Sequence, residues 1–158
     1  MANGFLTGAI AGTAGTTALN ATTYLDMAVR GRGTSSAPED LVWAAVGKAG
    51  AAIPGTGDER ANRLAGLGPL SGIGVGVVIG AVAGSVHRAL RRRGRSIPAP
   101  AAIVLISGAA MGMSDVPLKL FGISDPAEWK AADWAADVVP HLVFGAVTYA
   151  TLRSTDDT

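Results

Sequence analysis

The chain has 158 residues, so a single domain over 1–158 is expected. It is 49% hydrophobic and only 16% charged, with 22 glycines and a formal net charge of +1. It has no cysteine, which excludes disulfides, thiolate metal sites and cysteine nucleophiles, and the near-neutral balance excludes the broad basic surface of a nucleic-acid binder. Soluble domains carry about 25% charged residues; the deficit here fits a chain that confines its charges to short loops.

Four apolar stretches follow one another, each near the ~20 residues that cross a bilayer core. The first spans about 4–27. Met1 to Gly4 carries no Lys or Arg, so the positive start of a secretory signal is missing and the stretch is expected to stay in the mature protein. Gly4, Gly8 and Gly12 continue as Thr16 and Asn20 along one helical face.

The connection over 28–66 is long but patterned. Ser35-Ser36-Ala37-Pro38-Glu39-Asp40 reads as a helix start, with a hydroxyl cap, an early proline and acids in the first turn. Leu41 to Ala52 is apolar apart from Lys48, and Trp43 suits the headgroup zone, so a short interfacial helix is expected. Pro54-Gly55-Thr56-Gly57 ends it, and Thr56 or Asp58 caps a polar turn leading onward.

The second stretch, 67–88, places Gly68, Gly72, Gly76, Gly80 and Gly84 four residues apart on one face, a glycine-zipper pattern. In water so much glycine penalises a helix through backbone entropy. In lipid, unsatisfied backbone is costlier still, so the helix persists and the stripe becomes a groove for another backbone. The third stretch, 99–118, opens after Pro98 and carries Gly108 and Gly112; the fourth is 132–152. These small residues serve either packing within a four-helix bundle or association with a neighbouring subunit.

Orientation follows from Arg88, Arg91, Arg92, Arg93 and Arg95, which join the second and third stretches without one acid. Such loops stay cytoplasmic and touch anionic lipids, so with four spans both termini are cytoplasmic. Docking of a cytoplasmic partner is the alternative role for these arginines. Arg30 and Arg32, on the outer side, run against this orientation but are less dense. Trp43, Trp129 and Trp134 then all fall on the outer side, which points to a structured outer layer.

A polar constellation sits in the same outer half. Asp26 ends the first span, Asp115 lies near the end of the third, and Asp133, Asp137, His141, Gly145 and Tyr149 share one face of the fourth. Pro140 frees the carbonyl one turn earlier. Asp26, Asp115, Asp137 and His141 form a candidate polar pocket for a proton or cation, since ionisable groups within a membrane are costly; His141 is its titrating member. With two carboxylates it has the donors for a divalent metal, though without a fixed ligand spacing. The plainer reading is structural: carboxylates reaching headgroups, an i,i+4 pair of Asp137 with His141, and Asp115 meeting Lys119. No catalytic motif is present: no nucleophile elbow, phosphate loop, zinc-protease helix or dinucleotide fingerprint. No cofactor and no resident metal is expected.

Gly4-Phe5-Leu6-Thr7-Gly8-Ala9-Ile10-Ala11-Gly12, the Gly68-Pro69-Leu70-Ser71-Gly72 entry and Pro140-His141-Leu142-Val143-Phe144-Gly145 resemble four-span bacterial inner-membrane proteins of the YagU type. The resemblance implies that fold and a bacterial inner membrane, and assigns no catalytic residues. The expectation is thus an all-α integral membrane protein: a four-transmembrane-helix bundle with an interfacial helix in the outer loop. It would act as a non-enzymatic subunit or scaffold partnered by lipids and by itself or other membrane subunits. The alternative is a small proton- or cation-linked transporter or channel, and a third, more distant one is a membrane enzyme.

Overall fold

The computed structural model describes residues 3–155, and among these every regular element is helical. Helix α1 (Gly4–Arg30) starts where the Asn3 side chain accepts from the Phe5 N–H at 3.1 Å and ends at Gly31, whose φ of 62° closes the last turn. Helix α2 (Ala37–Lys48) carries a proline, Glu39 and Asp40 in its first turn. It ends at Lys48 rather than at the expected Ala52, because Gly50 turns the chain with φ 74°.

Helix α3 (Gly57–Arg91) corrects the sequence reading most. The polar run after Thr56 is not a separate turn before a span at 67; it is the opening of one 35-residue helix that runs through Pro69. At 1.5 Å per residue α3 is about 52 Å long, well beyond the ~30 Å hydrocarbon core. Its Asp58–Arg63 turns therefore stand outside the apolar slab. Helix α4 (Ala99–Leu120) follows the arginine loop, and a single 3-10 turn at Pro126–Glu128 leads to α5 (Ala131–Ser154). The Lys130 N–H donates to Asp133 at 3.0 Å and fixes the start of α5.

Among the described residues, α3, α4 and α5 are long and apolar enough to cross a membrane. Only 28% of the most apolar window in each is buried by the rest of the chain. Val78, Val82, Val104, Leu105, Val116 and Val139 stand exposed. Water would leave that surface unpaid for; a bilayer covers it. Helix α1, expected as the first span, is long enough but less apolar, because threonines and Asn20 interrupt it.

The helices pack as an antiparallel set. Gly4 faces Gly84 and Gly12 faces Gly76, so α1 and α3 run in opposite directions. On another side of α1, Gly15 meets Phe144 and Thr148 of α5; Gly145 of α5 in turn meets Ile103 and Ser107 of α4. Ile79, Ile106, Ala110 and Phe144 form the centre of the core, with Leu19, Val75, Ala83 and Tyr149 around it. Helix α2 has no buried residue and lies against the N-terminal part of α3, where Gly68 approaches Pro38 and Glu39.

Candidate functional site

Antiparallel packing of α4 on α5 sets Asp115 level with Asp137, one turn before His141. Asp115 lies within electrostatic reach of both. His141 Nδ1 is 3.2 Å from Asp137 Oδ1 and 2.8 Å from the Asp137 carbonyl oxygen. With its proton on Nδ1 the imidazole donates to that carbonyl, and Nε2 is left as an acceptor. The second carboxylate oxygen of Asp137 is buried and accepts no hydrogen bond. Ser114 turns its hydroxyl back to the Met111 carbonyl at 2.9 Å and lies 3.1 Å from Asp115 Oδ1. The three ionisable groups therefore form one cluster, on facing helices, near the ends that join through Pro126–Glu128.

Two expectations for this region fail. Asp26 lies at the same end of the bundle, but its carboxylate is taken by Arg32 at 2.5 Å and Arg30 at 3.4 Å. Those arginines close the end of α1, so Asp26 is a charge-paired helix terminus and not a wall of the cluster. Lys119 does not meet Asp115; it reaches Asp125 at 3.0 Å, beyond the end of α4. Among the described residues, no three histidine or acidic side chains converge closely enough to hold a metal ion.

The connection that follows α4 is well tied. Asp125 accepts from the Ala127 N–H at 2.9 Å and from Lys119, which together hold its carboxyl below the usual carboxylate range. Trp129 donates its indole N–H to Ser124 at 2.8 Å and stacks edge-on against Trp134 at 5.2 Å. Trp43 of α2 lies 5.1 Å from the Arg60 guanidinium, and Lys48 lies 5.7 Å from the Phe121 ring. The three tryptophans thus belong to ordered contacts at the ends of the helices.

The ten glycines singled out from sequence divide sharply. Gly4, Gly8 and Gly12 meet Gly76, Gly80 and Gly84 backbone to backbone, and Gly76 also meets Thr16 and Phe144. Gly68 meets α2. Gly72, Gly108 and Gly112 have open space where a side chain would be. Two close approaches were missed: Gly15, which takes Thr148, and Gly145, which takes Ser107. Gly145 stands four residues after His141 and Gly15 three after Gly12, so helical spacing alone could have found them.

The arginines surround the opposite end of the bundle. Arg88 and Arg92 line a cleft with the start of α1. On the other side of α3, the Arg95 N–H donates back to the Leu90 carbonyl at 2.9 Å, with Gly94 at φ 66° making the turn. Leu90, Ser96 and Ile97 here close one end of an apolar groove of about 390 Å³ between α3 and α4, floored by α5. No known protein family matches the chain, and no curated protein or solved structure is similar to it.

Proposed function

We propose that the chain is a non-enzymatic, multi-pass membrane subunit that packs against a second copy or against other membrane subunits through α4. The observation that carries this reading is the open face of α4. Gly108 and Gly112 are spaced for close helix contact, yet nothing lies within 4 Å of a side chain built on either. Of the striped glycines of α1 and α3, by contrast, all but Gly72 are taken up by contacts within the chain.

In this reading α1 is the fourth span. Four of its six threonine hydroxyls are returned to its own backbone: Thr13 to Ala9 at 3.0 Å, Thr16 to Gly12 at 2.9 Å, Thr17 to Thr13 at 3.0 Å and Thr22 to Ala18 at 2.8 Å. A threonine bonded this way presents little but its methyl group to lipid. The arginine loop faces the cytoplasm with both termini, and the resemblance to YagU-type proteins supplies a bacterial inner membrane.

Size in mild detergent tests the reading. The wild type is expected to run as a multiple of 15.8 kDa or with a co-purifying membrane subunit. Gly108→Leu/Gly112→Leu should reduce it to a single chain. A lone wild-type chain, or a variant of unchanged size, overturns it.

A second reading rests on a separate observation, the buried Asp137 oxygen that accepts no hydrogen bond beside His141 and Asp115. A cluster of this kind suits a proton- or cation-linked passage. It requires a pH- or cation-driven flux in liposomes that Asp137→Asn and His141→Ala both abolish; flux indifferent to them removes the cluster from any such role.

A further inference from the structure

We infer that the cleft between the start of α1 and the end of α3 holds the phosphate of one anionic membrane lipid, gripped by Arg88 and Arg92. The cleft measures about 420 Å³ and lies between Asn3, Gly4 and Phe5 on one side and Arg88, Ala89 and Arg92 on the other. Arg88 and Arg92 are four residues apart, so they share one side of α3. The aliphatic stem of Arg88 lies on Gly4, where an added Cβ would stand 3.0 Å from the Arg88 Cβ and Cδ. Arg92 is exposed one turn further on.

The charges gathered here have one sign. No acid among the described residues pairs with Arg88 or Arg92. Every described acid, from Asp26 to Asp137, lies toward the opposite end of the bundle, and Asp156 and Asp157 fall outside the described residues. The first N–H groups of α1 add partial positive charge, and the Asn3 side chain takes the one of Phe5. Two guanidinium groups beside a helix start repel one another, and a phosphate, accepting from both at once, turns that cost into attraction. What surrounds the cleft assigns that phosphate to a lipid. The apolar part of α3 ends at Val86, one turn short of the cleft, which places Arg88 and Arg92 at the depth of the headgroups. Phe5 forms a wall and is 61% exposed, and Leu6 and Ile10 continue the exposed apolar surface of α1 where acyl chains would lie.

The test uses the full chain in mild detergent, offered phosphatidylglycerol or phosphatidylcholine of identical acyl chains, with native mass spectrometry counting retained lipids. The wild type is expected to keep one phosphatidylglycerol per chain, with a preference of about tenfold or more. Arg88→Gln and Arg92→Gln should each lower that preference about fivefold. Arg93→Gln/Arg95→Gln, outside the cleft, should leave it in place. Ala89→Trp fills the cleft from an exposed position and keeps every charge, and it should abolish retention. Equal retention of the two lipids by the wild type overturns the proposal, as does full retention by Ala89→Trp. So does an equal loss on Arg93→Gln/Arg95→Gln, the mark of diffuse attraction by the whole loop. Displacement of the lipid by inorganic phosphate would give the cleft to a soluble anion. A preference seen only after Asp156→Asn/Asp157→Asn would give it to the chain's own end. Either result overturns the lipid assignment.

Discussion

Gly8 and Gly80 meet carbonyl to Cα across the α1–α3 contact, and a Cβ on either would fall on the other's carbonyl oxygen. The same relation holds between Gly84 and Gly4, one turn along α3. Two helices so close gain dispersion contacts and weak Cα–H···O bonds along their whole seam. Any side chain at these positions pushes the backbones apart and loses the contacts of its neighbours as well.

Gly80→Val is therefore expected to destabilise the bundle by about 1–3 kcal/mol, the usual cost of overpacking a rigid contact. Gly72→Ala, on the same helix but in open space, should be near neutral. Thermal unfolding in one detergent, read by circular dichroism, separates the two. Equal melting temperatures for both variants would mean that α1 and α3 do not touch through this stripe.

The contrast between those glycines explains what the sequence could tell. Spacing by four identifies a smooth helix face, and the stripes of α1 and α3 were visible for that reason. Spacing says nothing of the partner, because another span of the same chain and a span of a second chain present the same chemistry. Gly72 and Gly76 are indistinguishable in sequence, yet one faces open space and the other faces Thr16 and Phe144. The polar cluster was partly legible for a related reason. The i,i+4 link of Asp137 to His141 is set by one helix, and the approach of Asp115 follows from antiparallel packing. Asp26 was misassigned because its partners, Arg30 and Arg32, depend on how the end of α1 turns at Gly31. The N-terminal extension of α3 escaped because hydropathy marks where a helix leaves lipid and not where it starts.

Asp137 and His141 should be energetically coupled. Removing either by leucine leaves the other buried and less well bonded, at about 1–2 kcal/mol, while the double change should cost less than the sum. A double-mutant cycle on chemical or thermal unfolding measures the difference. Strict additivity would show that their 3.2 Å approach carries no stabilisation.

Asp125 predicts a response to acid at the connection between α4 and α5. The Ala127 N–H and then Lys119 depress its folded-state pKa. Its contribution is thus present above the unfolded value, about pH 3.9, and is lost as pH falls through the lower folded value. Amide exchange at Ala127 should accelerate below that range in the wild type, and Asp125→Ala should show the faster exchange already at neutral pH. An Ala127 amide equally protected in Asp125→Ala would exclude this carboxylate as the clasp.

Helix α2 should be the least protected helix of the molecule. It buries no residue, and its attachments are few: the approach of Pro38 and Glu39 to Gly68, Trp43 over Arg60, and Lys48 over Phe121. Local opening free energy scales with buried apolar contact, so α2 belongs to the low-stability end of the structure while the spans belong to the high end. Trp43→Ala removes the largest of these contacts, and Gly68→Val pushes α2 outward at its first turn. Either change should raise amide exchange across Ala37–Lys48 by about tenfold, a loss near 1.4 kcal/mol, without altering exchange in α4 or α5. If exchange rose throughout α3 as well, α2 would be acting as a strut for the long helix, not as a cover resting on its outer turns.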